Sequence, residues 1–118
     1  MTIQNVLASV AVRELQQAEA WYTQMLGRAP DGKPMPEVVE WKFPRGGWLQ
    51  VYEEPERAGQ GSCTLAVDDL DAQVKRLSAL PIDLSQRTES PAVRTLMIAD
   101  PDGNHIAFAQ ALDAGLAA

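Results

Sequence analysis

A six-residue stretch occurs twice in this chain. Val10-Ala11-Val12-Arg13-Glu14-Leu15 returns as Leu65-Ala66-Val67-Asp68-Asp69-Leu70 at a constant offset of 55, and each copy runs into an amphipathic helical pattern. A repeat at this spacing makes the chain two similar units in tandem. In the first unit Leu15, Ala18, Tyr22, Met25 and Leu26 fall on one helical face, and Gly27 stands where a helix C-terminus accepts a glycine. In the second, Leu70, Val74, Leu77 and Leu80 repeat the pattern, with Asp68 or Asp69 as N-cap and Pro81 as the stop.

Strand-like runs surround both helices. Val6 to Val12 and Cys63 to Val67 precede them; Val38 to Phe43 and Trp48 to Tyr52 follow the first, and Val93 to Ala99 and His105 to Ala109 follow the second. Pro44-Arg45-Gly46-Gly47 joins one pair and Asp100-Pro101-Asp102-Gly103-Asn104 the other. Both read as hairpin turns, because proline presets φ and glycine accepts the positive φ of a tight reversal. A further short strand is expected around Arg28 to Ala29 and around Ile82 to Leu84. The order is then β-α-β-β-β twice: a single domain over 1–118, with a first half at about 5–54, a linker at 55–61 and a second half at about 62–111.

Composition narrows the function. A chain of 118 residues, 46% of them hydrophobic, can bury one core. No apolar run approaches the about 20 residues of a membrane span, and MTIQNV lacks the layout of a signal peptide. The single cysteine, Cys63, has no intrachain partner, which fits the reducing cytoplasm. A formal charge of −6 with scattered Lys and Arg argues against nucleic acid as a partner and mildly favours cationic ligands.

This layout, with Trp21-Tyr22 and Met25-Leu26-Gly27 in the first half and Asp100-Pro101-Asp102-Gly103-Asn104 near the end, resembles the vicinal oxygen chelate superfamily. That group includes lactoylglutathione lyases, extradiol dioxygenases, epimerases and bleomycin-resistance proteins. The resemblance covers Val6 to Gln110. It implies an α+β fold in which tandem βαβββ repeats form a curved eight-stranded mixed sheet, with helices on the convex side and a concave ligand cavity, often in a homodimer.

Metal-using members place a His on the first strand of each half and a carboxylate on the last. Carried onto this sequence, those positions are Leu7, Ser62, Gln50 and Ala107, and none has the expected donor. Independently of that alignment, sites for zinc, nickel or iron of this kind need two or more imidazole or thiolate ligands, and the chain has one His and one Cys. No metal and no other cofactor is expected.

If Leu7, Gln50, Ser62 and Ala107 face the cavity, a period of two brings Ser9, Ala11, Trp48, Tyr52, Thr64 and His105 to the same face. Val10, Val12, Leu49, Val51, Leu65, Val67, Ile106 and Phe108 then turn toward the helices. Four-residue hairpin loops would add Trp41, Val39, Ile98, Leu96 and Arg94 to the cavity side; a bulge would reverse those assignments. The expected cavity residues are therefore Leu7, Ser9, Trp41, Trp48, Gln50, Tyr52, Ser62, Thr64, Arg94, His105 and Ala107. The competing reading of Trp41 and Trp48 is core or interface filling, and that of Arg94 is a solvated or ion-paired strand residue.

An aromatic pocket with a few neutral polar groups suits binding of an aromatic or cationic small molecule better than a reaction. The leading expectation is a metal-free binding protein. One alternative is a metal-independent lyase or isomerase, with His105 or Tyr52 moving a proton and Arg94 holding an anion; a catalytic role for His105 has only its pKa class in its favour. Another is a homodimeric interaction domain with a vestigial cavity.

Overall fold

The computed structural model describes residues 2–112. The element order is β1 (Leu7–Val12), α1 (Leu15–Leu26), β2 (Gly32–Met35), β3 (Val38–Lys42), β4 (Trp48–Glu53), β5 (Ser62–Ala66), α2 (Leu70–Leu77), β6 (Gln86–Glu89), β7 (Val93–Ala99) and β8 (His105–Ala111). This is the expected β-α-β-β-β twice, in the α+β class. The eight strands lie in two mixed sheets of four, ordered β1-β4-β3-β2 and β5-β8-β7-β6. In each, the first and last strands of the repeat run parallel and the others antiparallel. No helix among the described residues is long and apolar enough to cross a membrane.

The chain divides into two compact units. One runs up to Gly61 and includes Pro101–Asn104; the other is Ser62–Asp100 with the strand that begins at His105. In the first unit Leu15, Ala18, Tyr22 and Met25 of α1 are buried, as the helical spacing requires. The strand residues turned the same way, Val10, Val12, Val39, Trp41, Leu49 and Val51, are also buried. In the second unit Leu70 and Leu77 of α2 share a core with Leu96, Ile98, Ile106 and Phe108.

The two helices begin by the same device. The backbone N–H of Leu15 donates to Glu53 Oε1 at 2.9 Å, and that of Leu70 donates to Gln110 Oε1 at 2.8 Å. Each acceptor sits near the end of the last strand of its repeat, so the sheet itself satisfies one of the orphan donors of the helix it carries. In α2 the Asp69 side chain also accepts from the Ala72 N–H, as expected of an N-cap. Helix α1 ends at Gly27 with φ 81. Helix α2 ends at Leu77, short of the sequence pattern; Leu80 belongs to a following turn, its N–H donating to Leu77 O.

The short strands fall about four residues beyond their expected places. Gly32–Met35 replaces Arg28 to Ala29, and Gln86–Glu89 replaces Ile82 to Leu84. Both are outermost strands whose residues are nearly all exposed, so they carry no apolar alternation to read. Pro34 is tolerated because an outer strand needs ladder hydrogen bonds on one side only.

Candidate functional site

Each sheet has one face against its helix and one face without a helix. In the first unit the helix-free face is built in three cross-strand rows: Leu7, Trp48 and Lys42; Ser9, Gln50, Glu40 and Gly32; Ala11, Tyr52 and Val38. In the second unit Ser62, Thr64 and Ala66 line up with His105, Ala107 and Ala109, and these with Ala99, Met97 and Thr95. Leu7, Ser9, Trp48, Gln50 and Tyr52 thus share one face within the first unit, and Ser62, Thr64, His105 and Ala107 share one within the second.

Trp41 and Arg94 do not join them. Trp41 pairs with Leu49 on the helix side, is fully buried, packs 6.1 Å from the Tyr22 ring of α1, and donates its indole N–H to Arg28 O at 3.0 Å. Arg94 pairs with Gln110 on the helix side of its sheet and is held by Asp71 of α2 at 2.8 Å and Glu89 at 3.1 Å. Val39, Leu96 and Ile98 turn toward the helices as well.

One cause explains all five. The observed pairs Lys42 with Trp48 and Ala99 with His105 close loops one residue longer than the four assumed. In the first hairpin, Gly46 N–H donates to Phe43 O and Phe43 N–H to Gly47 O, with Gly46 at φ 98. This is a type I turn followed by a glycine bulge. Gly103 has the same φ, 98, in the second hairpin. An added loop residue moves every side chain of the preceding strand to the other face.

The corrected register brings forward a residue that the sequence reading passed over. Glu40 stands on the helix-free face between Gln50 and Gly32, and only 7% of its surface is exposed. Gln50 Nε2 donates to Glu40 Oε2 at 3.0 Å. Beside this pair the Lys42 ammonium lies 4.4 Å from the centroid of the Trp48 ring, a cation–π contact. The row of Trp48, Gln50 and Tyr52 on β4, all half-buried, is thereby edged by one buried acid and one stacked base. The sequence signal for Glu40 was a lone carboxylate inside Val38-Val39-Glu40-Trp41, an otherwise buried strand.

The exposed His105 side chain makes no hydrogen bond or ion pair among the described residues. With Arg94 held by two carboxylates on the helix side, the acid–base alternative loses its anion holder. Cys63 pairs with Ile106 on the helix side, and burial, with Asp100 nearby, pushes its thiol up to about 11, so it is protonated at neutral pH.

The chain matches the family model of a glyoxalase-like domain over residues 7–109. It belongs to that family. A glyoxalase/bleomycin resistance protein from Catenulispora acidiphila DSM 44928 is 36% identical, with 90% of this chain and 96% of that one covered at a TM-score of 0.81. TnmS3, an antibiotic binding protein from Streptomyces sp. CB03234, is 26% identical over 94% of this chain and 98% of its own, at 0.77. A lactoylglutathione lyase from Agrobacterium tumefaciens, 24% identical over 91% and 92% at 0.74, shares the fold. No curated protein matches the chain.

The metal of the superfamily has no matching donor set here. Leu7, Gln50, Ser62 and Ala107 offer neither imidazole nor carboxylate, and among the described residues no three His, Cys, Asp or Glu side chains gather as an ion would need. Glu40 is the one carboxylate among the strand residues of its face, and its neighbours in the row are an amide, a hydroxyl and a glycine.

Proposed function

We propose that this glyoxalase-like chain is a small-molecule binding protein that works without a metal ion, acts as a cytoplasmic homodimer and sequesters an aromatic or cationic compound. The observation that carries the reading is the composition of the helix-free face of the first sheet. Trp48 and Tyr52 flank Gln50, with Glu40 beside it. Aromatic rings give rigid contact area to planar ligands, while a few placed polar groups fix orientation. Such a face suits holding a molecule, and no nucleophile with an adjacent base stands among these residues. The likeness to an antibiotic binding protein supports the same reading.

The test joins metal analysis of the purified protein to a titration with a panel of planar aromatic compounds, followed by quenching of tryptophan fluorescence. The expected result is substoichiometric metal and at least one panel member bound with a Kd below about 100 µM, near 5.5 kcal/mol of binding free energy. A stoichiometric ion, or a panel without a single binder, overturns the proposal.

A further inference from the structure

Glu40 is placed as few carboxylates are. Only 7% of its surface is exposed, and the only hydrogen-bonding partner of its carboxylate among the described residues is the neutral amide of Gln50, on one oxygen. Glutamate is almost never buried to this extent unless it is paired with a cation or several donors. Two of the bases on neighbouring stretches of the chain are engaged elsewhere. Lys42 is stacked on Trp48, and the Arg28 guanidinium pairs with Asp31 at 2.7 Å.

The second oxygen, Oε1, faces a gap. The residue opposite Glu40 on β2 is Gly32, and a Cβ placed there would lie 3.5 Å from Oε1. A side chain at 32 would begin in van der Waals contact with that oxygen, and a larger one would extend from there; glycine leaves the approach open. No buried side-chain oxygen or nitrogen among the described residues lacks a hydrogen bond, so Oε1 reaches the surface. A half-satisfied, buried carboxylate with an open approach, flanked by Trp48 and Tyr52, is organised to receive a charge-assisted N–H donor.

We infer that Glu40 is the anionic anchor of a binding site for a protonated nitrogen, an ammonium or amidinium carried on a planar aromatic body, with Gln50 fixing the carboxylate and Gly32 keeping Oε1 accessible. This rests on the proposed binding function and narrows its ligand to cations. Coulomb attraction and the hydrogen bond are both strengthened at Glu40 because protein, not water, surrounds most of the side chain.

The test compares three planar three-ring probes by fluorescence titration at pH 7: proflavine, a cation; acridone, neutral; and 9-anthracenecarboxylate, an anion. Wild-type protein is expected to bind proflavine at least about tenfold more tightly than acridone, the size of one charge-assisted hydrogen bond, and the carboxylate most weakly. Glu40→Gln keeps the shape and the contact with Gln50 but removes the charge, and it should bring proflavine to the acridone level. Gly32→Val suits a strand and should abolish the preference by covering Oε1, with the circular dichroism of the fold retained. Equal binding of proflavine and acridone by wild-type protein, or a preference that survives in Glu40→Gln, overturns the cation site and leaves small-molecule binding standing. Failure of all three probes to bind below about 100 µM overturns both.

Discussion

Two tryptophans seven positions apart in one hairpin do different work, and the difference lies in which side of the sheet each ring meets. Trp41 is fully buried against Tyr22 and donates to the Arg28 carbonyl, whereas Trp48 is half-exposed under the Lys42 ammonium. Trp41→Phe therefore leaves a cavity and an unpaired carbonyl. It is expected to cost about 2–4 kcal/mol of stability, read as a lower urea midpoint. Trp48→Ala should cost under about 1.5 kcal/mol but remove most aromatic binding, so fluorescence titration and denaturation will rank the two variants in opposite orders. Cys63 supplies a pH prediction at the same scale. Its folded thiol is raised to about 11, above the value near 8.5–9 of an unfolded chain, so the neutral thiol's contribution to stability is complete below about pH 8.5 and is lost as pH rises toward 11. Native protein at pH 8 should react with a thiol reagent far more slowly than urea-unfolded protein, and Cys63→Ala should flatten the alkaline loss of stability between pH 9 and 11.

The elements themselves were legible to the extent that their side chains alternate or repeat. The six longer strands and both helices were read from apolar runs and spacing, and each stands within two residues of the place so read, except that α2 stops at Leu77; burial alternates along β4, whereas Val38 to Trp41 of β3 are all buried. What the pattern does not contain is the length of a hairpin loop, which depends on whether a glycine turns as part of the loop or as a bulge beside it. Gly46 at φ 98 takes the second course, and for that reason Trp41 lies on the helix side rather than the expected one and Glu40 stands on the helix-free face. Nothing lies within 4 Å of a Cβ built on Gly46, so Gly46→Ala tests the backbone conformation free of any clash. It should cost about 1–2 kcal/mol, measured by chemical denaturation, while the free space rules out a larger loss from packing. The helix starts give a matched pair. Glu53→Ala and Gln110→Ala each remove a side-chain acceptor from a first-turn N–H and should each cost about 1 kcal/mol, with a corresponding loss of helical ellipticity on heating.

At the scale of the molecule, the tandem repeat accounts for the fold, and departures from the repeat account for the site. Equivalent central rows read Ser9, Gln50, Glu40 and Gly32 in the first unit but Thr64, Ala107, Met97 and Gln86 in the second, so a shared architecture carries a carboxylate in one copy and no ionisable side chain in the other. The repeat could be read from the chain because it rests on apolar spacing; the buried acid could not be placed without the register. The Asp100-Pro101-Asp102-Gly103-Asn104 stretch departs from the repeat in another way. It was legible as a turn, yet Pro101–Asn104 belongs to the first unit, where Asn104 is wholly buried, donates to Ala11 O at 2.8 Å and accepts from Gly61 N–H at 2.9 Å. Asp102 accepts from the Arg13 N–H at 3.0 Å, and Gly59, at φ 86, passes so close that an added Cβ would stand 2.3 Å from the Asp102 carbonyl oxygen. Short polar contacts between positions so far apart in sequence leave no periodic trace. Their weight can be measured in the first unit alone, because Trp21, Trp41 and Trp48 all lie there. Asn104→Ala strips partners from the buried Ala11 carbonyl and the half-buried Gly61 N–H and should lower the midpoint of the tryptophan-fluorescence transition by the equivalent of about 2–4 kcal/mol. Asn104→Asp keeps the acceptor for Gly61 but sets a carboxylate oxygen against the Ala11 carbonyl, so it should recover little of that loss at pH 7 and more as the acid is protonated below its pKa. An unchanged transition in both variants would mean that the turn only rests on the first unit and does not hold it.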